Sequence, residues 1–106
     1  MKKNFVKLEG NVGFSPRMTT FENESSVMRL SMATNEKWKN KAGEIVEETM
    51  WHNIVIWSGD NMPDFDKVQK GAHLTIEGRL KQVCYQTKTG IERQTYEIIA
   101  SKITVH

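Results

Sequence analysis

The stretch that decides the fold is EIVEETMWHNIVIW, residues 44–57, which contains neither glycine nor proline. Its β-branched and aromatic residues predict one long strand. Residues two apart in a strand share a face, so Trp51 and Trp57 point one way, while Ile54 and Ile56 point the other. At about 3.3 Å per residue the two indoles are roughly 20 Å apart. The isoleucine face is typical of a core, and the tryptophan face favours a surface on which planar bases stack.

Length and composition predict a single domain over residues 1–106. The chain is 38% hydrophobic and 26% charged, which is ordinary for a globular protein and not for a disordered one. The lone cysteine, Cys84, has no partner for an internal disulfide or a metal cluster. His52, His73 and His106 lack the sequence spacing of metal ligands, so we expect neither a metal nor a cofactor.

The chain has no stretch near the roughly 20 apolar residues that a membrane-spanning helix needs. Its start, Met1–Asn4, is polar and is not followed by the apolar segment of a secretory signal. We therefore expect no membrane association and a cytoplasmic location.

Four further segments alternate apolar and polar residues between turn signals, and they cover approximately residues 5–12, 26–35, 73–85 and 91–105. Such long strands suit a small barrel in which each strand bends to serve two sheet regions, and Gly10 and Gly78 are candidate bend points. The lysine-rich segment Glu36–Gly43 is predicted to be a loop.

One helix is predicted at about Asn61–Gln69, between the third and fourth of the five strands. Asp60 or Asn61 is a candidate cap, and Phe65 and Val68 are its expected buried contacts. Five strands with a helix in this place predict an all-β OB-fold, a five-stranded Greek-key barrel. The alternatives are an open five-stranded sheet or an SH3-like barrel, and the position of the helix favours the OB-fold.

The charge is unevenly distributed, although the formal net charge is only +2. Residues 1–43 carry a balance of +4, residues 44–77 of −5 and residues 78–106 of +3. A fold can gather the basic segments on one side, which favours an acidic partner, but mixed charge is equally typical of an ordinary solvated surface.

Aromatic residues alternate with basic ones, as in grooves that bind single-stranded nucleic acid. Trp38 has three lysines around it, and Tyr85 lies at the end of a basic strand face. The candidate residues for binding nucleic acid are Trp38, Trp51, Trp57, Tyr85, Lys7, Lys37, Lys39, Lys41, Arg79 and Lys81. Taken singly, a strand tryptophan is more often core; the combination with basic neighbours favours the groove.

The sequence gives little support to catalysis. Glu47 and Glu48 are adjacent and so face opposite sides of a strand, and the sequence has neither a nucleophile–base motif nor a glycine-rich phosphate loop. His52 lies in the aliphatic phase, where a histidine is more often a hydrogen-bonded packing residue than a catalyst. We therefore expect a binding protein and not an enzyme.

The chain resembles the bacterial-type single-stranded DNA-binding proteins from about Asn4 to Ile99. The matching motifs, in order, are LEGNVG at 8–13 followed by Pro16, LSMATNEKWK at 30–39, TMWH at 49–52, KG at 70–71 and IEGRL at 76–80. The resemblance implies an OB-fold that assembles, usually as a homotetramer, and binds single-stranded DNA without sequence preference in replication, repair and recombination. A homodimer is the second expectation for the assembly state.

The resemblance also assigns roles to single residues. Trp38 and Trp51 match family tryptophans that stack on bases, while Trp57 replaces a usual phenylalanine and Tyr85 a frequent tryptophan. His52 matches a histidine associated with the subunit interface.

Members of that family usually continue into a flexible linker and an acidic tip that recruits replication and repair enzymes. This sequence stops at Val105–His106, directly after the fifth predicted strand. Either the tail was removed or the chain is a short natural variant such as a mobile-element or phage form, so recruitment of those enzymes is doubtful. Two other interpretations stay open: the primosomal replication protein N family, against which Trp38 and the Trp51–His52 pair argue, and an OB-type module that binds protein or tRNA.

Overall fold

The computed structural model describes residues 3–14, 16–59 and 62–106. Within these ranges the chain forms six strands: β1 Val6–Val12, β2 Arg17–Thr20, β3 Ser26–Lys39, β4 Ile45–Trp57, β5 His73–Gln86 and β6 Glu92–Val105. Five of them are the predicted strands. The sixth, β2, was not predicted, because all four of its residues are exposed and RMTT shows no apolar alternation.

The strands close into a barrel. Their order is β1-β5-β6-β4-β3, and β1 pairs with β3 through Asn11↔Ala33 and Val12↔Met32 to complete the circle. The β4–β6 contact is parallel and short, and the other contacts are antiparallel. Strand β4 pairs along one edge of β3. Strands β2 and β1 therefore lie one after the other along the opposite edge of β3. This five-stranded barrel with β2 attached confirms the predicted OB-fold.

The predicted loop at Glu36–Gly43 is wrong for its first half. Strand β3 continues to Lys39 and stays in register with β4 as far as the pair Lys39↔Ile45. The turn that follows is held by Asn40, whose Oδ1 accepts hydrogen bonds from the backbone N–H groups of Ala42 and Glu44. Cross-strand pairing with the β-branched start of β4 thus keeps a polar, lysine-rich segment extended.

The barrel interior is filled by the aliphatic phases of the strands. Its buried cluster comprises Val12, Met28, Leu30, Met32, Ile54, Ile56, Val68, Leu74, Ile76 and Ile98. Both glycines that were expected at bends lie where two backbones meet closely. A Cβ at Gly10 would stand 2.0 Å from the Ala33 carbonyl oxygen, and one at Gly78 would stand 2.1 Å from that of Ile99. A register shift in the β5–β6 pairing also falls at Gly78.

The predicted helix is much shorter than expected. Only a 3-10 turn, Phe65–Lys67, forms in the described part of this segment, and the proposed caps Asp60 and Asn61 lie outside the described residues. Val68 is nevertheless fully buried and Phe65 packs against the core, as expected. A single turn suffices to bring these two apolar residues to the barrel, and so short a segment gains little from further helical hydrogen bonds. No helix in the described ranges is long and apolar enough to span a membrane.

Candidate nucleic-acid interface

Trp51 and Trp57 lie on the outer face of β4, as the alternation predicted. The register pairs Trp51 with Ala33 and Trp57 with Val27, and the indoles are 58% and 50% exposed. Tryptophans that belonged to the core would be covered, so these exposures support the stacking interpretation. The valine between them, Val55, is buried on the same face and supplies a flat apolar floor.

Trp51 is supported from below and from the side. A Cβ built on Gly13 would lie 2.1 Å from Cζ3 of the Trp51 indole, so the ring rests directly on the backbone of residue 13. The ring of Phe14 stands beside it, with centroids 6.1 Å apart and planes inclined by 31°. Phe14 is itself 74% exposed, so one face of this pair is open to a ligand.

Trp57 has a phenylalanine partner of its own. Its indole stacks on Phe21, with ring centroids 6.2 Å apart and an angle of 22° between the planes. Phe14 and Phe21 flank strand β2, which places both on the edge of β3 next to the tryptophans. We call these four rings, Trp51, Phe14, Trp57 and Phe21, the aromatic platform.

The sequence reasoning missed both phenylalanines of the aromatic platform. Each lies in a polar turn segment with no apolar periodicity around it, on either side of the undetected strand β2. An isolated aromatic residue in a polar turn is the signal that marks them, because a turn offers no core in which to bury the ring.

A groove of about 300 Å³ lies between the two halves of the aromatic platform. It is lined by Phe14, Arg17, Arg29, Leu30, Ser31, Asn53, Ile54, Val55 and Glu97. Two arginines lie side by side in its lining, since Arg17 pairs directly with Arg29 in the β2–β3 register. We call it the arginine groove, and neither of its arginines was among the residues singled out from the sequence.

Glu97 holds one of the two arginines in place. Nη1 of Arg29 donates a hydrogen bond of 2.7 Å to Oε2 of Glu97, whose side chain is only 17% exposed. A charge-assisted bond of this length fixes the guanidinium at the floor of the groove. Arg17 supplies a second positive charge, so the groove suits a flexible anionic chain.

The β3–β4 hairpin extends beyond the barrel and carries the next group of predicted residues. In the unbroken register, Lys37 and Lys39 share the face of Trp51, whereas Trp38 pairs with Val46 on the opposite face. Lys41 lies in the turn and is exposed. Lys37 and Lys39 therefore lie on the same side of the hairpin as the aromatic platform. Trp38, which is 44% exposed, lies on the other side.

The β5–β6 hairpin presents a third group. Arg79, Lys81 and Tyr85 alternate on one face of β5, and each is exposed. Tyr85 lies opposite Arg93, which was not singled out from the sequence, while Lys81 lies opposite Glu97 of the arginine groove. Because Lys81 lies beside Glu97, the basic face of β5 adjoins the arginine groove.

Lys7 is the predicted cation on strand β1. It pairs with Glu77 across β1 and β5, and Oε2 of Glu77 is 3.7 Å from Nζ of Lys102. The carboxylate of Glu77 thus offsets much of the positive charge at this point, which makes Lys7 a weaker candidate for contact with an anion.

His52 lies in the inner phase of β4 and is partly buried. Its Nε2 is 2.8 Å from Oγ1 of Thr34, which is itself buried. Burial lowers the pKa of His52 below its usual 6.5, because the charged imidazolium loses solvation. A shallow depression beside it is lined partly by Leu80 and Tyr96, which are 44% and 53% exposed.

Known proteins resemble this chain along almost its whole length. The model of the "Single-strand binding protein family" matches residues 3–106. Two curated relatives, each named "Single-stranded DNA-binding protein" and from Neisseria meningitidis serogroups A and B, are 36% identical over 103 residues. Those residues are 97% of this chain and 59% of each relative, so the chain spans less than two thirds of their length.

Solved structures agree with the fold. A Plasmodium falciparum structure titled as an SSB complex with ssDNA superposes with a TM-score of 0.87 at 28% identity, over 100% of this chain and 96% of that one. A Thermus aquaticus single-stranded DNA-binding protein superposes with a TM-score of 0.78 at 20% identity, over 97% of this chain and 50% of that one. The sequence motifs, the barrel and the family match over residues 3–106 lead to one conclusion: the chain belongs to the single-strand binding protein family.

Proposed function

We propose that this protein binds single-stranded DNA without sequence preference across the outer face of β3 and β4. The observation that carries the proposal is the pairing of two half-exposed tryptophans on one strand face, Trp51 and Trp57, each supported by a phenylalanine. Stacking tolerates any base, because every base has a π-face, and is typically worth ~1–3 kcal/mol per base. The aromatic platform thus supplies affinity without base-specific hydrogen bonds.

The arginine groove supplies the electrostatic part of the binding. A DNA strand that crosses from Trp51 to Trp57 passes over Arg17 and Arg29, whose guanidinium groups match phosphate oxygens. Glu97 faces the same groove and is kept from repelling the strand by its ion pair with Arg29. Contacts of this type also make the affinity depend on salt.

The two hairpins extend the proposed path beyond the platform. Lys37 and Lys39 continue along the platform side of β3, and Lys41 follows in the turn. Arg79, Lys81 and Tyr85 line the neighbouring face of β5. Trp38 lies on the far side of its hairpin, so a strand reaches it only by passing around the edge or end of β3–β4. Lys7 completes the set of candidate contacts from β1.

The comparisons support this function. The curated relatives bear the name of single-stranded DNA-binding proteins, and the Plasmodium neighbour is titled as a complex with ssDNA. By analogy we assign the chain a role in DNA replication, repair and recombination, as a binding protein and not an enzyme, in the cytoplasm at the nucleoid. An OB module for protein or tRNA is the alternative that binding experiments must exclude.

We further propose that the chain assembles into a homotetramer, with a dimer as the second choice. We assign His52 to the subunit interface, since the exposed side chains of Leu80 and Tyr96 lie beside it. Large apolar side chains gathered around a shallow depression favour contact with another subunit. Assembly also lengthens the path for DNA, since one OB-fold covers only about 4–16 nucleotides.

Tryptophan fluorescence during titration with a poly-deoxythymidine oligomer tests the function, and light scattering on the same samples gives the mass. We expect strong quenching, equal affinity for mixed-sequence single strands, and weaker binding to duplex DNA and to tRNA. Unchanged emission at saturating oligomer would refute stacking on the platform. A mass of one 12.2 kDa chain at full DNA affinity would refute the assembly proposal alone.

A further inference from the structure

Three side chains with metal-ligating groups meet on one face at the end of the β1–β5–β6 section of the barrel. They are Glu9 on β1, His73 at the start of β5 and His106 just after β6. The backbone N–H of His106 donates to the carbonyl oxygen of His73 at 2.9 Å, so the strand pairing places the two histidines opposite each other. Glu9 pairs with Thr75 and is therefore the diagonal neighbour of His73 on the same face.

The ligand atoms of these three residues are close together. One ligand atom from each residue lies within 4.8 Å of the others. Nε2 of His73 is 3.0 Å from Oε2 of Glu9, and the two imidazole centroids are 4.8 Å apart. All three side chains are exposed, so a cation can reach them directly from solvent and the side chains are free to adjust their rotamers.

A neighbouring hydroxyl orients one of the rings. Oγ1 of Thr75 lies 2.6 Å from Nε2 of His106. Metal-ligating histidines usually bond through one ring nitrogen and donate from the other to an oxygen, which fixes the tautomer and the ring orientation. When Nε2 of His106 donates to Oγ1 of Thr75, the ring lone pair lies on Nδ1, and that nitrogen is then available to a metal.

We infer that Glu9, His73 and His106 form a surface site for a divalent cation of the zinc class. Two neutral imidazole nitrogens and one carboxylate oxygen are ligands that Zn²⁺ accepts, at about 2.0–2.2 Å, with water completing the coordination. The ion replaces the hydrogen bond between His73 and Glu9 and draws the ligand atoms toward a common centre. The expectation of a metal-free protein rested on sequence spacing, and strand pairing brings together residues that lie far apart in the chain.

Calorimetric titration of zinc into the full chain, without DNA, tests this site. The Cys84→Ser variant serves as the background, because Cys84 is an exposed thiol and a thiolate is a ligand that zinc accepts. We expect one zinc per chain, with at least tenfold weaker binding for His73→Gln and for Glu9→Gln. Thr75→Val, which removes only the orienting hydroxyl, should weaken binding about 10-fold or more. Glu92→Gln on β6 is the matched control and should bind as the background does.

Histidine ring resonances in NMR spectra provide a second readout. Zinc should shift the signals of His73 and His106 and leave those of His52 in place. The absence of zinc binding at sub-millimolar concentration would overturn the inference, as would equal binding by all variants or a shift confined to His52. Because these measurements use no nucleic acid, their outcome is independent of the DNA-binding proposal.

Discussion

The indole of Trp51 rests on the backbone of Gly13, so close that a Cβ at residue 13 would lie 2.1 Å from Cζ3 and 2.7 Å from Cη2 of the ring. The position of an exposed aromatic side chain on β4 is thus set by the absence of a side chain just after β1. The contact lies outside the buried core and concerns only the aromatic platform.

Replacing Gly13 with alanine should move the Trp51 ring and weaken DNA binding, because the methyl group occupies the space of the indole. The core does not involve this contact, so we expect little change in the free energy of unfolding. Fluorescence titration and urea denaturation measure the two effects. Gly59→Ala is a suitable control, since a Cβ there meets nothing within 4 Å. A fully retained affinity in Gly13→Ala would show that Trp51 is not held by residue 13.

Removing the Trp57 ring distinguishes a role in stacking on DNA bases from a role in packing the core. Trp57→Ala should weaken DNA binding by ~1–3 kcal/mol. Because the ring is half-exposed and contacts mainly Phe21, its loss should cost clearly less stability than the ~3–5 kcal/mol of a core tryptophan. Measuring affinity per folded molecule, together with denaturant unfolding, tests both values. A large stability loss with unchanged affinity would identify this indole as core.

Trp38 allows a comparison on the other side of the hairpin. Trp38→Ala should leave stability nearly unchanged, because the ring lies on a hairpin beyond the barrel and is 44% exposed. If DNA reaches around the hairpin, affinity should fall by ~1–3 kcal/mol for long oligomers. The loss should be smaller for short oligomers that cover only the platform. An equal loss at all lengths would place Trp38 on the same path as Trp51.

Lys39 tests the electrostatic contribution separately from stacking. Lys39→Ala should lower affinity modestly and reduce the slope of log affinity against log salt by about 0.7, the value for one phosphate contact on a single strand. Tryptophan quenching at saturation should be unchanged. Lys67→Ala, in the 3-10 turn away from the platform, is the charge-matched control. If Lys67→Ala changes the salt slope as much as Lys39→Ala does, the proposed path of the DNA past Lys39 is wrong.

His52 should make stability depend on pH in mildly acidic solution. Burial lowers its pKa below 6.5, so the unfolded chain binds this proton more tightly than the folded one. The free energy of unfolding should therefore fall as the pH drops from above 6.5 toward the lower folded value. His52→Gln should reduce this slope, because its side chain can still bond Thr34 but does not titrate. The wild-type chain and this variant differ in no other residue, so the difference between their slopes isolates His52.

Urea denaturation of the wild-type chain and of His52→Gln on either side of pH 6.5, at one protein concentration, measures this difference. Light scattering at each pH shows whether assembly changes as well, since His52 is proposed to lie at the subunit interface. An identical pH dependence in the two proteins would show that His52 does not contribute to it.

Strand alternation could be predicted from the sequence because it is local. The β-branched phase of residues 44–57 supplies the core, and the opposite phase exposes Trp51 and Trp57, as the structure confirms. Gly10 and Gly78 could also be predicted as special positions, because glycine in an apolar strand marks a close backbone approach. The order of the five strands and the helix along the chain then pointed to the OB-fold.

The wrong predictions fall where tertiary pairing overrides the local sequence pattern. Strand β2 has no alternation and forms only because β3 offers it a free edge, while the lysine-rich end of β3 is extended because β4 pairs with it. In the described part of its segment the predicted helix is reduced to one turn, because a single turn suffices to bury Val68.

The sequence by itself determined which residues of a strand share a face, because side chains alternate from one face to the other along it. The tertiary structure alone decided which residues meet across strands. It set Gly13 beneath Trp51, brought Arg17 opposite Arg29, separated Trp38 from the platform and joined Glu9 to His73 and His106. These contacts link residues distant in the chain, so they depend on strand register and barrel closure, which no local pattern of residues encodes.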